Sequence, residues 1–250
     1  MSQSSISVII PVYKDDMTLA ALLQNLRDMD VAEIIIADGE DRANTPPYID
    51  AVLSKDIIAK LTWIAAAPKG RGSQIHVGIT CAASDYICVL HADSRLDARA
   101  SNAIRTTLAK SLTSLGTFTL KFDTNSLALS IFAWISRADS ALTTFGDQGF
   151  FFRRADYAGL DLDLSQYPLL EDVALRHAFK GLGRVTRSPV PIVTSARRFA
   201  KRGVWATQIF NTQILWRYMR GESPSSLYSA YYKAPDETSQ TSQSQTALST

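Results

Sequence analysis

The sequence contains little cysteine and no long apolar run. Of its 250 residues only two are cysteines, Cys81 and Cys88, and both lie within apolar segments. Their number and spacing do not suggest a disulfide framework or a zinc site, so we interpret them as buried free thiols. The longest apolar stretch, residues 127–135, is much shorter than the ~20 residues of a membrane-spanning helix, and we predict that the chain does not span a bilayer.

The sequence also has no large excess of positive or negative charge. The 26 basic and 24 acidic residues leave a net charge of +2, which argues against nucleic acid as the main ligand. Any electrostatic site must therefore be local. Residues 1–13 lack the basic region and apolar core of a signal peptide, because their apolar run stops at Pro11, so we expect a cytoplasmic protein.

Four short apolar runs with high β-propensity recur in the first part of the chain. The runs lie at residues 6–10, 33–37, 61–66 and 85–90, with helical segments at 47–53 and 71–83. A stripe of leucines from Leu19 to Leu26 predicts one more helix, which Asp15 or Asp16 caps. This alternation predicts an α/β fold with a mostly parallel sheet and helices on both faces.

Polar residues follow all four runs, at the end of the sheet where such folds bind their ligands. The segments are PVYKDD, DGED, APKGRGSQ and HADS. Three offer carboxylates and the other offers glycines with Lys69 and Arg71, which suits a ligand that carries hydroxyls and phosphates. GRGSQI has Ile75 where the dinucleotide fingerprint has its last glycine, and a tight turn into a helix is an alternative interpretation.

The order of these motifs resembles that of a known family. SVIIPVYKDD, IIIADGE, PKGRGSQ and YICVLHADS, followed by FGDQGFFFRR, YPLLEDVAL and TSARRF, resemble the inverting family-2 glycosyltransferases over residues 5–220. The pattern is most similar to the bacterial subgroup labelled predicted arsenosugar-biosynthesis glycosyltransferases. The resemblance implies a GT-A fold in one domain, residues 1–232. Its nucleotide-binding half would cover residues 1–95, and its acceptor half, with the C-terminal helices, residues 96–232.

The resemblance implies a nucleotide-sugar donor, a UDP- or GDP-sugar. The residues that it assigns to donor binding are Pro11, Val12, Tyr13, Asp38, Arg71, His91, Asp93, Arg197 and Arg198. The first four of these would form the base and ribose pocket, with Asp38 on uracil, and Arg71 would approach the nucleotide or its phosphates. The residues alone leave a second interpretation of Asp38, as a turn former in an Asp-Gly pair after a strand.

The HAD segment lies where the family has an Asp-x-Asp metal motif. Asp93 matches the second carboxylate, which implies a ligand for Mg²⁺ or Mn²⁺ at the donor diphosphate. His91 replaces the first carboxylate. Because neutral imidazole is a poor ligand for a hard cation, we expect His91 to contact the nucleotide instead. A strand-end histidine whose hydrogen bonds are satisfied by backbone is the alternative.

The second half of the chain has to supply the acceptor site and a base. Glu171 and Asp172 begin a predicted helix after Pro168, where capping and the helix dipole alone favour acidic residues. The resemblance implies instead that Asp172 is the general base and Glu171 a supporting group. Asp147 and Gln148, just before a β-prone run, are predicted to contact the acceptor or the donor sugar, with a hairpin turn as the alternative.

The C-terminal part concentrates basic and aromatic residues. Arg197 and Arg198 precede a predicted amphipathic helix at residues 204–220, and the resemblance implies that these arginines help to hold the diphosphate. The helix either packs on the core or rests a basic aromatic face on anionic lipid, at the inner face of the membrane. Residues 233–250 are rich in Ser, Thr and Gln, and we predict a disordered tail.

The resemblance therefore implies a hexosyltransferase-like enzyme that transfers sugar with inversion. Asp172 would deprotonate the acceptor as it attacks the anomeric carbon, and a metal at Asp93 would stabilise the charge of the leaving diphosphate. A sugar nucleotidyltransferase is disfavoured, because PVYKDD stands where such enzymes carry a glycine-rich loop. The remaining alternative is a non-catalytic binder of nucleotide-sugar or carbohydrate with the same fold.

Overall fold

One mixed sheet forms the centre of the protein. The computed structural model describes residues 3–40, 42, 45–51, 53–66, 70–136, 146–197, 199 and 203–233. The strands are β1 (Ile6–Val12), β2 (Glu33–Asp38), β3 (Leu61–Ala65), β4 (Tyr86–Val89), β5 (Arg95–Leu96), β6 (Thr113–Phe122), β7 (Phe150–Arg153) and β8 (Arg184–Thr194). Within this part of the chain they form one eight-stranded sheet in the order β3-β2-β1-β4-β7-β6-β8-β5.

Helices connect the strands and follow the last of them. They are α1 (Asp16–Leu26), α2 (Pro47–Asp50), α3 (Lys55–Ile58), α4 (Arg71–Cys81), α5 (Ala100–Leu108), α6 (Leu127–Ile135), α7 (Arg154–Ala158), α8 (Glu171–Lys180), α9 (Val204–Met219) and α10 (Pro224–Lys233). Short 3-10 turns lie at Gly146–Gln148 and Leu164–Gln166. In the described ranges, no helix combines the length and the hydropathy needed to cross a bilayer.

The first four long strands of the sheet are parallel. β1 pairs with β2 and β4, and β2 pairs with β3, all in parallel register. β7 is antiparallel to β4 and β6, whereas β6 and β8 are again parallel, and the short β5 closes the edge in antiparallel pairing with β8. The predicted α/β fold with a mostly parallel sheet is therefore confirmed.

The residues of β1 show why helices cover both faces of the sheet. Successive side chains of a strand point to opposite faces. Ile6, Val8 and Ile10 pack in one buried cluster with the leucines of α1, whereas Ile9 packs in the other with Ile75 of α4. Burial of each such side chain contributes about 1.5–3 kcal/mol, so a run that is apolar at every position is stable only between two layers of helices.

Glu33 joins three elements at the amino end of β2. Its carboxylate accepts hydrogen bonds from the hydroxyl of Ser7 and from the backbone N–H groups of Ala83 at 2.7 Å and Ser84 at 3.1 Å. Burial alone would raise the pKa of Glu33, but these hydrogen bonds outweigh it and lower the pKa below its ordinary value of 4.5. The charged form of Glu33 therefore stabilises the fold.

One expectation from the sequence is wrong, and another is confirmed only for the position of the residue. Cys88 is buried and free, but Cys81 is exposed, because it lies two residues beyond Ile79 and off the buried face of α4. Asp15 occupies the cap position of α1, yet its side chain makes no capping hydrogen bond. Its carboxylate instead accepts from the guanidinium of Arg197, at 3.3 and 3.4 Å.

Candidate active site

A cleft of about 850 Å³ opens at the carboxyl ends of β1 and β4. The ends of these strands form one wall, and the first residues of α4 and α8 form a second. The C-terminal helices α9 and α10 contribute a third wall. Both the place, outside the carboxyl ends of parallel strands, and the volume are those of a site for a small organic ligand.

Most of the residues singled out in the sequence lie in this cleft. Those that line it are Pro11, Tyr13, Arg71, His91, Asp93, Asp147, Glu171, Asp172 and Arg197. Val12, Asp38 and Gln148 are described but do not line it. Arg198 lies outside the described residues, as does the predicted tail beyond residue 233. The cleft thus brings together predicted site residues that are up to 186 positions apart in the chain (11 to 197).

Val12 and Asp38 are buried and do not line the cleft. Val12 packs in the core, and its carbonyl accepts from Nε2 of Gln74 at 2.6 Å. Asp38 is fully buried and accepts from the backbone N–H of Glu40 at 2.8 Å and from the guanidinium of Arg42. These are the contacts of a turn-forming aspartate, the alternative that the sequence leaves open. A uracil contact through Asp38 stays a prediction.

Gln148 is also fully buried, beside the site. Its side-chain oxygen accepts from the guanidinium of Arg187 at 3.4 Å, and the same guanidinium donates to the carbonyl of Ser136 at 2.6 Å. The neighbouring Asp147 does line the cleft. Of the two residues predicted to contact the acceptor, only Asp147 is therefore placed where a ligand can reach its side chain.

The glycines of the GRG segment permit a close backbone approach. A Cβ at Gly70, whose φ is +129°, would lie 2.7 Å from Pro168, and a Cβ at Gly72 would lie 2.2 Å from the carbonyl oxygens of Leu164 and Tyr167. Both distances are far below ordinary contact. The two glycines therefore fit the interpretation of the segment as a tight turn into a helix. Their effect on the site is to hold Arg71, which stands between them, against the start of α8.

Arg71 and Glu171 form an ion pair in the wall of the cleft. The Nη1 group of Arg71 donates to Oε1 of Glu171 at 3.1 Å, and the two side chains are 31% and 4% exposed. Burial acts to lower the pKa of Arg71, but the negative charges of Glu171, Asp147 and Asp172 outweigh it and raise the pKa above its usual range. The guanidinium stays charged, and it is the positive centre of an acidic cluster.

The backbone is strained next to two of these residues. Leu170 adopts a left-handed conformation, φ +65°, directly before Glu171, and Lys14 adopts φ +53° directly after Tyr13. They are the non-glycine residues with positive φ in the described part of the chain, and both line the cleft. Such conformations cost about 1–3 kcal/mol and cluster at binding and catalytic sites.

His91 and Asp93 lie at the end of β4. The Nδ1 atom of His91 is 3.2 Å from Oδ1 of Asp147, so the imidazole has a carboxylate partner rather than a backbone one. Asp93 is half-buried in the cleft. No group of three or more acidic, histidine or cysteine side chains with the spacing of a metal site occurs among the described residues.

Several residues at the cleft were not predicted from the sequence. Gln74 bridges the ends of β1 and β2, because its Nε2 group donates to the carbonyls of Val12 at 2.6 Å and Ala37 at 2.8 Å. The tyrosines of α10 also line the site: Tyr228, Tyr231 and Tyr232. Their spacing of three and four residues places them on one face of a helix, which is the signal that could have identified them.

Comparison with known proteins first defines the class of fold. The chain is similar to the crystal structure of GalNAc-T7 with UDP, GalNAc and Mn²⁺, with 12% identity, a TM-score of 0.58, and coverage of 77% of this chain and 43% of that chain. It is also similar to S. aureus TarS residues 1–349, with 14% identity, a TM-score of 0.55, and coverage of 84% and 64%. The same TarS fragment in complex with UDP gives 12% identity, a TM-score of 0.58, and coverage of 76% and 60%. The chain has the GT-A fold of these glycosyltransferases, as predicted, and spans less than two thirds of each of them.

A sequence-family model also matches part of the chain. Residues 7–104 match the model described as Glycosyl transferase family 2. No curated protein matches the chain. The matched segment runs from the second residue of β1 past β4 and includes both His91 and Asp93. It overlaps residues 1–95, for which nucleotide binding stays a prediction.

Proposed function

We propose that the chain is a family-2 glycosyltransferase that moves a sugar from a nucleotide-sugar to an acceptor hydroxyl. The observation that carries this proposal is that Asp93 and Asp172, from opposite halves of the chain, line one cleft at the carboxyl ends of parallel strands. The match of residues 7–104 to the family model supports the class of reaction. Similar structures that hold UDP support a UDP-sugar as the donor, with a GDP-sugar as the second candidate.

Asp93 would hold a divalent cation, Mg²⁺ or Mn²⁺, together with the diphosphate of the donor. The donor set fits, because these cations are commonly bound by one or two carboxylates plus substrate phosphates and water, and Asp93 supplies such a carboxylate within the cleft. When bound, the cation stabilises the charge that develops on the leaving diphosphate. The Mn²⁺ in the GalNAc-T7 structure supports this assignment.

Asp172 is the proposed general base. Its carboxylate takes the proton of the acceptor hydroxyl while the hydroxyl oxygen forms a bond to the anomeric carbon. The bond from that carbon to the diphosphate oxygen breaks, and its electron pair leaves with the nucleoside diphosphate. Attack opposite the leaving group inverts the anomeric configuration, and a positioned base of this kind contributes about 10²–10⁴-fold. The pair of Arg71 and Glu171 fixes the first turn of α8, on which Asp172 lies.

The acceptor would lie against the wall formed by α9 and α10. The residues that this wall presents to the cleft carry no full charge: Gln208, Asn211, Thr212, Ile214, Leu215, Tyr228, Tyr231 and Tyr232. Amides and hydroxyls hydrogen-bond hydroxyl groups, and aromatic rings cover the apolar faces of sugars. This chemistry supports a neutral, hydroxyl-bearing acceptor between α10 and Asp147.

The test is a turnover assay on the purified chain. A panel of UDP- and GDP-sugars is supplied with and without Mn²⁺ or Mg²⁺, and release of nucleoside diphosphate is measured. We expect metal-dependent release that Asp93→Ala abolishes and that Asp172→Asn lowers by about 10²–10⁴-fold. The matched control is Asp56→Asn, which alters an exposed carboxylate of α3 and should leave the rate unchanged.

The turnover assay, combined with a binding measurement, distinguishes an enzyme from a non-catalytic binder. Titration calorimetry with UDP and GDP measures binding to each variant. Binding of donor by the wild type and by Asp172→Asn, with turnover by the wild type only, supports the proposed role of Asp172. Saturable binding without turnover of any donor would favour the non-catalytic binder, and the absence of both would contradict the proposal.

A further inference from the structure

Helix α6 presents more apolar surface to solvent than to the core. Its sequence, LALSIFAWI, contains no charged residue, and Leu129 is its one fully buried side chain. Leu127, Ile131, Trp134 and Ile135 are exposed, with Trp134 at 68%. Positions 127, 131, 134 and 135 follow one helical face. The helix begins with a cap, in which the backbone N–H of Leu129 donates to the hydroxyl oxygen of Ser126 at 3.5 Å. The apolar outer face therefore belongs to a capped helix.

Helix α9 carries a second exposed stripe. Trp205, Ile209, Trp216 and Met219 lie along one face, and the two tryptophans are 67% and 51% exposed. The opposite face buries only two side chains fully, Ile214 and Leu215. The sequence allows two interpretations of this helix, and one of them is packing on the core. Core packing explains one face of α9 but not the exposed face.

The two helices border the same cleft. Phe132 of α6 lines it, and its ring lies 6.4 Å from the ring of Phe199, which precedes α9 and also lines it. Gln208 and Asn211 of α9 extend this border. Exposed apolar side chains elsewhere in the described chain, such as Met17 and Leu112, stand on separate elements, whereas eight are gathered on α6 and α9.

The chemistry of these helices indicates what covers them. Three of the four tryptophans of the chain lie in the stripes, and tryptophan is enriched where protein meets the boundary between lipid and water. In the sequence, residues 197–220 contain six basic residues and no acidic one, and α6 has no acidic residue either. Of the described basic residues, Arg197 pairs with Asp15 and Arg217 pairs with Glu222. The guanidinium of Arg220 lies 4.0 Å from the ring centroid of Trp216, which places a cation at the edge of the apolar stripe. This combination of aromatic and basic residues is complementary to an anionic bilayer surface.

We propose that α6 and α9 dock the protein on an anionic lipid bilayer, with the mouth of the cleft beside the lipid. The apolar side chains of both helices enter the headgroup region, and Arg220, which lies at the edge of the α9 stripe, faces the anionic headgroups. Docking itself does not depend on the proposed reaction. If the chain transfers sugar, the docked cleft lies where it can receive an acceptor that is anchored in the membrane, and this last point rests on the proposed function.

The experiment measures cosedimentation of the full chain with lipid vesicles. One set of vesicles contains phosphatidylcholine alone, and the other contains about one third phosphatidylglycerol. We expect binding to the anionic vesicles that weakens at high salt, together with a blue shift of tryptophan fluorescence. Trp134→Ser and Trp216→Ser should each weaken the binding by about tenfold, and the double variant by about a hundredfold.

Two controls keep the result interpretable. Leu112→Ser removes an apolar side chain that is 63% exposed between α5 and β6, and it should leave vesicle binding unchanged. Neither tryptophan lines the cleft, so all variants should keep the wild-type rate of donor hydrolysis in solution and the wild-type unfolding curve. Vesicle binding by a chain that hydrolyses no donor would overturn the proposed reaction and leave the docking surface in place.

Other results would overturn the proposal. Equal sedimentation of wild type and double variant, or no binding to anionic vesicles, would show that lipid does not cover the stripes. A dimer of the wild type in analytical ultracentrifugation that Trp134→Ser or Trp216→Ser converts to monomer would assign the stripes to a second copy of the chain instead.

Discussion

Replacement of Gly72 by alanine tests whether backbone packing sets the geometry of the site. An alanine methyl at this position would lie 2.2 Å from the carbonyl oxygens of Leu164 and Tyr167, whereas ordinary contacts begin at 3.4 Å. The start of α4 and the facing turn must therefore separate by about 1 Å, because neither carbonyl belongs to a side chain that can rotate away. Overpacking of this kind costs about 1–3 kcal/mol of unfolding free energy.

The same displacement moves Arg71 away from Glu171, with a further effect on the proposed reaction. A misplacement of about 1 Å costs about a hundredfold in rate, so we expect Gly72→Ala to lower turnover even where the protein is fully folded. Urea denaturation gives the stability, and nucleoside diphosphate release gives the rate. Gly159→Ala is the matched control, because its methyl would meet the carbonyl of Asp156 at 3.6 Å with an ordinary φ. Stability and rate of Gly72→Ala that both equal those of the control would refute the reasoning.

Three further predictions concern single side chains. Arg71→Met leaves the carboxylate of Glu171 buried without its guanidinium partner, so it should lower the free energy of unfolding in urea by about 1–3 kcal/mol. Adding Glu171→Gln in a double variant should restore part of that loss. An unchanged unfolding midpoint would contradict this role of the pair. The pKa of Glu33 is lowered on folding, so its contribution is present above the unfolded value of 4.5 and is lost as the pH falls through the folded pKa. Glu33→Gln should therefore cost about 1 kcal/mol at pH 7, and the difference from wild type should shrink in acid; a constant difference across this range would argue against the linkage. A thiol reagent should label Cys81 in the native protein but Cys88 only in urea. Burial excludes the reagent from Cys88 and raises the pKa of its thiol. Rapid labelling of both thiols in the native protein would show that the core opens.

The first half of the sheet was predictable, because its strands are short, apolar and buried on both faces. The run that predicted β1, residues 6–10, lies inside the observed Ile6–Val12. β8 gave no such signal, since Arg184–Thr194 contains Pro189, Pro191 and two arginines, and proline disfavours an interior strand. The sheet accommodates the prolines through a shift of register between β6 and β8. That adjustment depends on the partner strand, so local sequence could not show it.

The same limit applies to the candidate site. The resemblance to a family selected Asp93 and Asp172, and both lie in one cleft. It did not predict the ion pair of Arg71 and Glu171, which are 100 positions apart and meet because Gly70 and Gly72 allow two backbones to touch. Asp38 shows the opposite case, since a strand-end carboxylate that suggested a ligand contact has its own partners within four residues.

The position of β7 in the sheet decides how the protein can be divided. β7 begins at Phe150, yet it covers the edge of β4, where Ile87, Cys88 and Val89 are fully buried. A fragment that ended at residue 104 would leave this apolar strand with unpaired backbone N–H and C=O groups, which is a template for aggregation. The first half of the chain, which the sequence predicts to bind the nucleotide, is therefore not a portable module. A chimaera that exchanges it for a related half has to carry β7, and with it the loop of Asp147, from the same parent.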